Sequence, residues 1–161
     1  MNTTNRQIKK PTVLTQRAAA KYTKAKEVVI PAGYKAIGAE AFQKNGIDNI
    51  KFPAGLKVIG MNAFYFCGME KLELPDTLET IDVKAFFKCT QLQEVKIPVS
   101  VRSIERGAFH GCNRLKILEF RHDPDFIGEE LINKSTRIRC YQGSKVDAYC
   151  QEHDYITEYI E

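Results

Sequence analysis

Four prolines set the frame of this chain. Pro31, Pro53, Pro75 and Pro98 are spaced 22, 22 and 23 residues apart. Six residues after each stands an isoleucine: Ile37, Ile59, Ile81 and Ile104. Four residues on comes an Ala-Phe pair: Ala41-Phe42, Ala63-Phe64, Ala85-Phe86 and Ala108-Phe109. Three residues past each phenylalanine lie Asn45, Cys67, Cys89 and Cys112. Self-similarity at a fixed period of this length marks a stacked-repeat architecture. The one extra residue falls just after Cys89, where a loop can absorb it.

Each unit reads as three parts. A short alternating run ends at the proline, as in Leu72-Glu-Leu74-Pro75 or Val95-Lys-Ile97-Pro98. Alternation predicts a half-buried strand, and proline ends it because it cannot donate to the ladder. A turn with one apolar residue follows (Tyr34, Leu56, Leu78, Val101). From the isoleucine to the cysteine position the apolar residues fall at i, i+4, i+5 and i+8, which predicts a short helix or 3-10 turn with one side inward. One unit cannot bury that side, whereas stacked units share a continuous core. The expected strands are 28–30, 50–52, 72–74, 95–97, 118–120 and 138–140, side by side in a parallel sheet, with the isoleucines and phenylalanines in internal columns.

The shared pattern IPxxLxxIGxxAFxxCxxL resembles the repeat of the BspA-like leucine-rich repeat family, as in FPAGLKVIGMNAFYFCGMEKLEL. The tail CYQGSKVDAYCQEHDYI is similar to the closing segment of many members. The resemblance implies an α/β-type leucine-rich-repeat solenoid. This is a right-handed superhelix with a short-stranded parallel sheet on one face, helical or 3-10 turns on the other, and helical caps at both ends. It implies one domain over 1–161: an N-terminal tail and cap (1–27), regular repeats (28–120), and a degenerate repeat with a C-terminal cap (121–161). Members are bacterial and are linked chiefly to adhesion and other protein contacts. No enzyme motif defines them, which implies no catalytic residues, no cofactor and no metal.

Composition narrows the classes further. The 161 residues are 43% hydrophobic and 27% charged, ordinary for a soluble globular chain. No apolar run approaches the roughly 18 residues of a membrane span. The amino terminus lacks the apolar core of a secretory signal peptide. This predicts a cytoplasmic location for the chain as given, with cell surface or secretion, as for relatives, the alternative. The formal charge of +4 hides an asymmetry, since residues 1–26 carry seven basic residues and no acidic one. The last turns (Asp147, Glu152, Asp154, Glu158, Glu161) are acid-rich. Such runs are ordinarily solvated; the sharper reading is weak head-to-tail self-association. Five cysteines is an odd number, and three of them share one repeat position. They read as small hydrophobes in the core of a protein from a reducing compartment.

Along the chain, residues 1–12 read as frayed. Thr15 is placed to cap a short helix through Tyr22, in a worn first coil. The outward strand residues Val29, Lys51, Glu73, Lys96, Glu119 and Arg139 alternate in sign from Lys51 onward, an arrangement that favours cross-strand pairing and excludes nucleic acid from that face. A weakened further coil spans 121–137, Ile138-Arg-Cys140 supplies the last strand, and Ser144 caps a closing helix.

His110-Gly-Cys112 carries no nucleophile, because the cysteine points inward. His122-Asp123-Pro-Asp125 is a turn before it is a metal loop. The better candidate is outward. Gln43, Tyr65, Phe87 and His110 follow the Ala-Phe pairs, and Phe66 lies beside Tyr65. Tyr65, Phe66, Phe87 and His110 thus form a candidate protein-binding strip. The competing reading tucks Phe66 or Phe87 between coils and widens the core. The expectation is a non-enzymatic binding or adhesion scaffold with another protein as partner. The first alternative is a self-assembling structural protein; a metal-dependent enzyme using the His122 loop ranks below both.

Overall fold

A single repeat cannot satisfy all of its own amide groups, and the fold follows from where the rest go. In the computed structural model, which describes residues 12–161, the chain winds through six coils. They contain residues 15–22, 38–45, 60–67, 82–89, 105–112 and 128–135, numbered here coils 1 to 6. Three sets of backbone hydrogen bonds run between coils, and only the first joins every coil to the next. The expectation of fraying over 1–12 lies outside the described residues, apart from Thr12, whose carbonyl accepts from Lys35 and Ala36.

The first ladder runs through the isoleucines. β1 (Val13–Leu14), β3 (Ala36–Ile37), β5 (Val58–Ile59), β6 (Thr80–Ile81), β8 (Ser103–Ile104) and β10 (Phe126–Ile127) form a six-stranded parallel sheet. Register pairs Leu14 with Ile37, Ile37 with Ile59, Ile59 with Ile81, Ile81 with Ile104, and Ile104 with Ile127. The worn coils at both ends therefore keep the period. Two-residue strands carry no alternation, and the reading of the sequence placed no sheet here.

The second ladder holds the expected strands. β2 (Glu27–Val29) pairs with β4 (Asn49–Lys51). β7 (Glu94–Ile97), β9 (Ile117–Phe120), β11 (Arg137–Cys140) and β12 (Ile156–Tyr159) form a separate four-stranded parallel sheet. Two corrections arise. Residues 72–74 form no strand, and their neighbourhood keeps a single bridge, Lys71 to Glu94. The bridge keeps the register of the repeat, since it aligns Leu72 with Val95. Nor is 138–140 the last strand, because β12 pairs along its whole length with β11.

The third ladder replaces the expected helical face. In coil 2 the amides of Ala41, Gln43 and Asn45 donate to carbonyls three residues back. Those of Glu40, Phe42 and Lys44 donate to Met61, Ala63 and Tyr65 of the next coil. Coil 3 repeats the scheme, with Asn62, Phe64 and Phe66 donating to Val83, Ala85 and Phe87. A 3-10 helix needs consecutive i→i+3 bonds. Here they come only at every second residue, so the segment is a chain of tight turns. Left-handed backbone at Glu40, Lys44, Asn62, Phe66, Lys84 and Lys88 turns alternate amides outward.

Inside, Phe42, Phe64, Phe86 and Phe109 form one file of nearly parallel rings. Centroids are 5.2, 5.3 and 5.1 Å apart, with interplanar angles of 6° or less. All are essentially inaccessible, and each buried ring contributes about 1.5–3 kcal/mol through its area alone. The cysteines do more than fill space. Cys67, Cys89 and Cys112 donate their thiols to the carbonyls of Phe42, Phe64 and Phe86, at 2.9, 3.0 and 3.2 Å. Asn45 uses its side-chain amide likewise on Tyr22. This repeat position therefore calls for a small donor to the preceding coil.

At the start, Thr15 caps α1 (Gln16–Ala19), and a 3-10 turn continues over Ala20–Tyr22. Near the end, Ser144 caps α2 (Lys145–Glu152), whose Val146 and Cys150 are buried. Asp123 accepts from the Val146 amide, tying the preceding loop to the helix.

Candidate functional site

The turn ladder presents one side chain per coil outward immediately after each buried phenylalanine, and successive coils bring these into contact. Tyr65 stacks on Phe87 at 5.7 Å and 9°, and Phe87 on His110 at 5.8 Å and 16°. Phe66 leans on Tyr65 at 6.2 Å and 40°. All four candidate residues are thus brought together. They divide by exposure: Tyr65, Phe87 and His110 are half-buried, while Phe66 is 55% exposed. Neither residue tucks between coils to widen the core, since Phe64 and Phe86 already occupy the interior and the side chains that follow them point the other way. Phe66 also sits at φ +58°, a conformation costly for a bulky residue. Exposure and strain together mark it as a side chain the fold does not require.

Several neighbours were not foreseen. Lys84 and Lys88 place their ammonium groups 5.1 and 5.5 Å from the Phe87 centroid. Their stems run over coil 5, where Gly107 and Gly111 leave room. A Cβ at Gly111 would lie 2.7 Å from Lys88 Cγ, and one at Gly107 3.2 Å from Lys84 Cγ. The signal was in the sequence: these glycines replace the bulkier residues that coils 2 to 4 carry at the same places. Beyond His110 the strip ends in Asn133, whose side-chain oxygen accepts from the Gly111 amide at 2.9 Å.

The remaining candidates are committed elsewhere. His122 Nε2 lies 2.7 Å from the Val101 carbonyl, Asp123 accepts from Val146, and Asp125 pairs with Arg102 at 3.1 Å. Those three side chains of the loop turn to three different partners. All five cysteines are buried free thiols. Burial, reinforced by the neighbouring Cys89, pushes the Cys67 thiol from 9.0 to about 12, and burial takes Cys150 to about 12 as well. Neither is a thiolate nucleophile near neutrality.

The outer face of the four-stranded sheet carries an ion-pair cluster. Glu119 expects exposure from its place in the alternating column, yet it is 3% exposed, because arginines cover it. It meets Arg121 at 2.8 Å and Arg139 at 3.1 Å, and Arg139 also meets Glu158 at 2.8 Å. Burial raises the Glu119 carboxyl, but the hydrogen bonds from Arg121 and Arg139 outweigh it and leave a net lowering. The alternation thus continues one step further, into β12. At Glu73, outside the ladders, it is interrupted.

A cleft of about 780 Å³ opens beside this sheet, lined by Gln93, Arg114, Lys116, Ser135, Arg137 and Glu158 among others. Glu158, the one carboxylate in its lining, is held by Arg139 and, at 3.9 Å, by Arg137. It offers no free general base. None of the strip residues borders this cleft.

A family model for BspA-type leucine-rich repeat regions matches residues 15–139 in 6 copies. No curated protein matches the chain. Among solved structures, a leucine-rich cell surface protein from Faecalibacterium prausnitzii is similar, with a TM-score of 0.70 and 24% identity over 78% of this chain and 34% of that one. The pneumococcal vaccine antigen PcpA is similar with a TM-score of 0.55 and 16% identity over 86% of this chain and 42% of that one. The chain therefore spans less than half the length of either, and the likeness is one of fold. Among the described residues no helix is long and apolar enough to cross a membrane.

Proposed function

The chain belongs to the BspA-type leucine-rich repeat family, and from that premise we propose that it is a non-enzymatic scaffold that binds another protein through the strip of Tyr65, Phe66, Phe87 and His110. The observation that carries this reading is the stack itself. Three coils contribute rings in register, each held by its neighbour, with Phe66 projecting beside them. Rigid aromatics lose little conformational entropy on binding and dominate contact energetics. Similarity to a leucine-rich cell surface protein supports an adhesive or interaction role. The separate fates of His122, Asp123 and Asp125, and the raised thiols, give no support to a catalytic role.

The test is a comparison of partner capture from the native source by wild type and by the Tyr65→Ala/Phe87→Ala double variant. The double variant should melt near wild type, because these side chains lie outside the phenylalanine file. Loss of two contact aromatics removes about 2 kcal/mol or more of binding, roughly thirtyfold in affinity. An unchanged set and yield of captured proteins refutes the assignment.

A further inference from the structure

We propose that the segment recognised by this strip is an acidic stretch of polypeptide, its carboxylates meeting Lys84 and Lys88 and an apolar side chain packing on Phe66. The inference rests on the strip being the binding surface and adds the chemistry of its occupant. Three observations carry it.

The first is charge. Lys84 and Lys88 converge on one ring, at 5.1 and 5.5 Å, and neither makes an ion pair among the described residues. Two ammonium groups beside one ring, neither paired with a carboxylate, favour an anion at that ring. The carboxylates on the turn segments of coils 2 to 5 are already engaged. Glu40 accepts from Gln43, Asp82 from the Val83 amide, and Glu105 from Ser103. Lys84 and Lys88 are themselves exposed, so an anion from a partner can reach them.

The second is ring orientation. Tyr65, Phe87 and His110 lie nearly parallel, so Phe87 has a ring on each side and turns its edge to solvent. An aromatic edge carries partial positive charge. Edges and ammonium groups together favour carboxylate oxygens. A sugar ring needs a free aromatic face on which to stack, and the stack offers none on Phe87.

The third is the apolar flank. Phe66, in the adjoining coil, is 55% exposed beside Tyr65. A ligand that is anionic throughout leaves this flank uncovered, whereas a polypeptide mixing carboxylates with an apolar side chain covers both parts.

The test is fluorescence anisotropy with a short labelled peptide of Glu-Glu-Phe triplets. A Lys-Lys-Phe peptide, a heparin fragment and phosphatidylserine vesicles serve as the other arms. The proteins are wild type, Lys84→Glu/Lys88→Glu, and Phe66→Ala, each checked for an unchanged circular dichroism spectrum. The acidic peptide should bind wild type, lose about tenfold or more on the double charge reversal, weaken with added salt, and weaken on Phe66→Ala. Preference for heparin or vesicles overturns the proposal, as does binding insensitive to charge reversal or no binding of the acidic peptide. In each of those cases the strip itself is judged separately: if Tyr65→Ala/Phe87→Ala still abolishes partner capture, the surface stands and its acidic occupant does not.

Discussion

Phe86→Ala removes the central ring of the internal file, and the structure sets the size of the effect. Phe86 is 0% exposed and is stacked at 5.3 Å on Phe64 and 5.1 Å on Phe109. Burial and cavity costs for Phe→Ala run to about 3–5 kcal/mol, and each aromatic pair adds about 0.5–1.5 kcal/mol beyond its area. The upper end of the first range applies, because the isoleucine sheet and the turn bonds hold coils 3, 4 and 5 apart and the space cannot collapse. The expected loss is therefore about 5 kcal/mol, comparable to the whole stability of many domains. Phe42→Ala is the control within the file. It has one stacked neighbour, and on the other side Tyr22 lies tilted by 36° at 6.1 Å, so its expected loss is smaller, about 3–4 kcal/mol. The assay is urea unfolding followed by far-ultraviolet circular dichroism. In a nearest-neighbour repeat array a broken central interface also uncouples the two halves, so the transition should broaden or split and its m-value fall. Phe86→Ala costing less than about 2 kcal/mol with an unchanged m-value, or costing no more than Phe42→Ala, refutes the reasoning that the coils share one interior.

Gly60→Ala should destabilise despite alanine's smaller backbone entropy cost, because a Cβ there lies 2.7 Å from the Ile37 carbonyl oxygen and 2.9 Å from the Ala39 amide nitrogen; a melting temperature at or above wild type overturns this. The buried thiols set an alkaline limit. With Cys67 and Cys150 raised from 9.0 to about 12, the folded state keeps protons that the unfolded chain releases, so their contribution is complete below pH 9.0 and is lost as pH rises toward about 12. Urea midpoints measured across that window should fall, and should fall less in Cys67→Ala/Cys150→Ala relative to its own neutral-pH value.

The inward half of this fold was legible because identical positions must meet identical neighbours in every coil. Ile59 packs where Ile37 and Ile81 pack, and the period alone predicts the phenylalanine file. The turn face was misread for a definite reason. Apolar residues at i, i+4, i+5 and i+8 point inward equally well from a helix and from turns whose amides alternate between their own coil and the next. The choice between them depends on the left-handed residues, such as Glu40, Asn62 and Lys84, and none of these announces that conformation as glycine does. β12 was invisible for a different reason. It carries no repeat signature, and it joins the sheet by pairing with β11 after the chain has passed through α2.

The candidate site followed from register, and its chemistry did not. Once Ala63-Phe64 and Ala85-Phe86 are aligned, Tyr65 and Phe87 must be neighbours, because the turn ladder joins the residues beside them. Charge on the same surface depends on the direction of long side chains, which no period specifies. Here that direction is set by two absences, Gly107 and Gly111, which open the surface of coil 5 to the stems of Lys84 and Lys88. Positions that depart from the repeat's usual residue type therefore carry the information that the repeat itself cannot, and in this chain the departures cluster around Phe87.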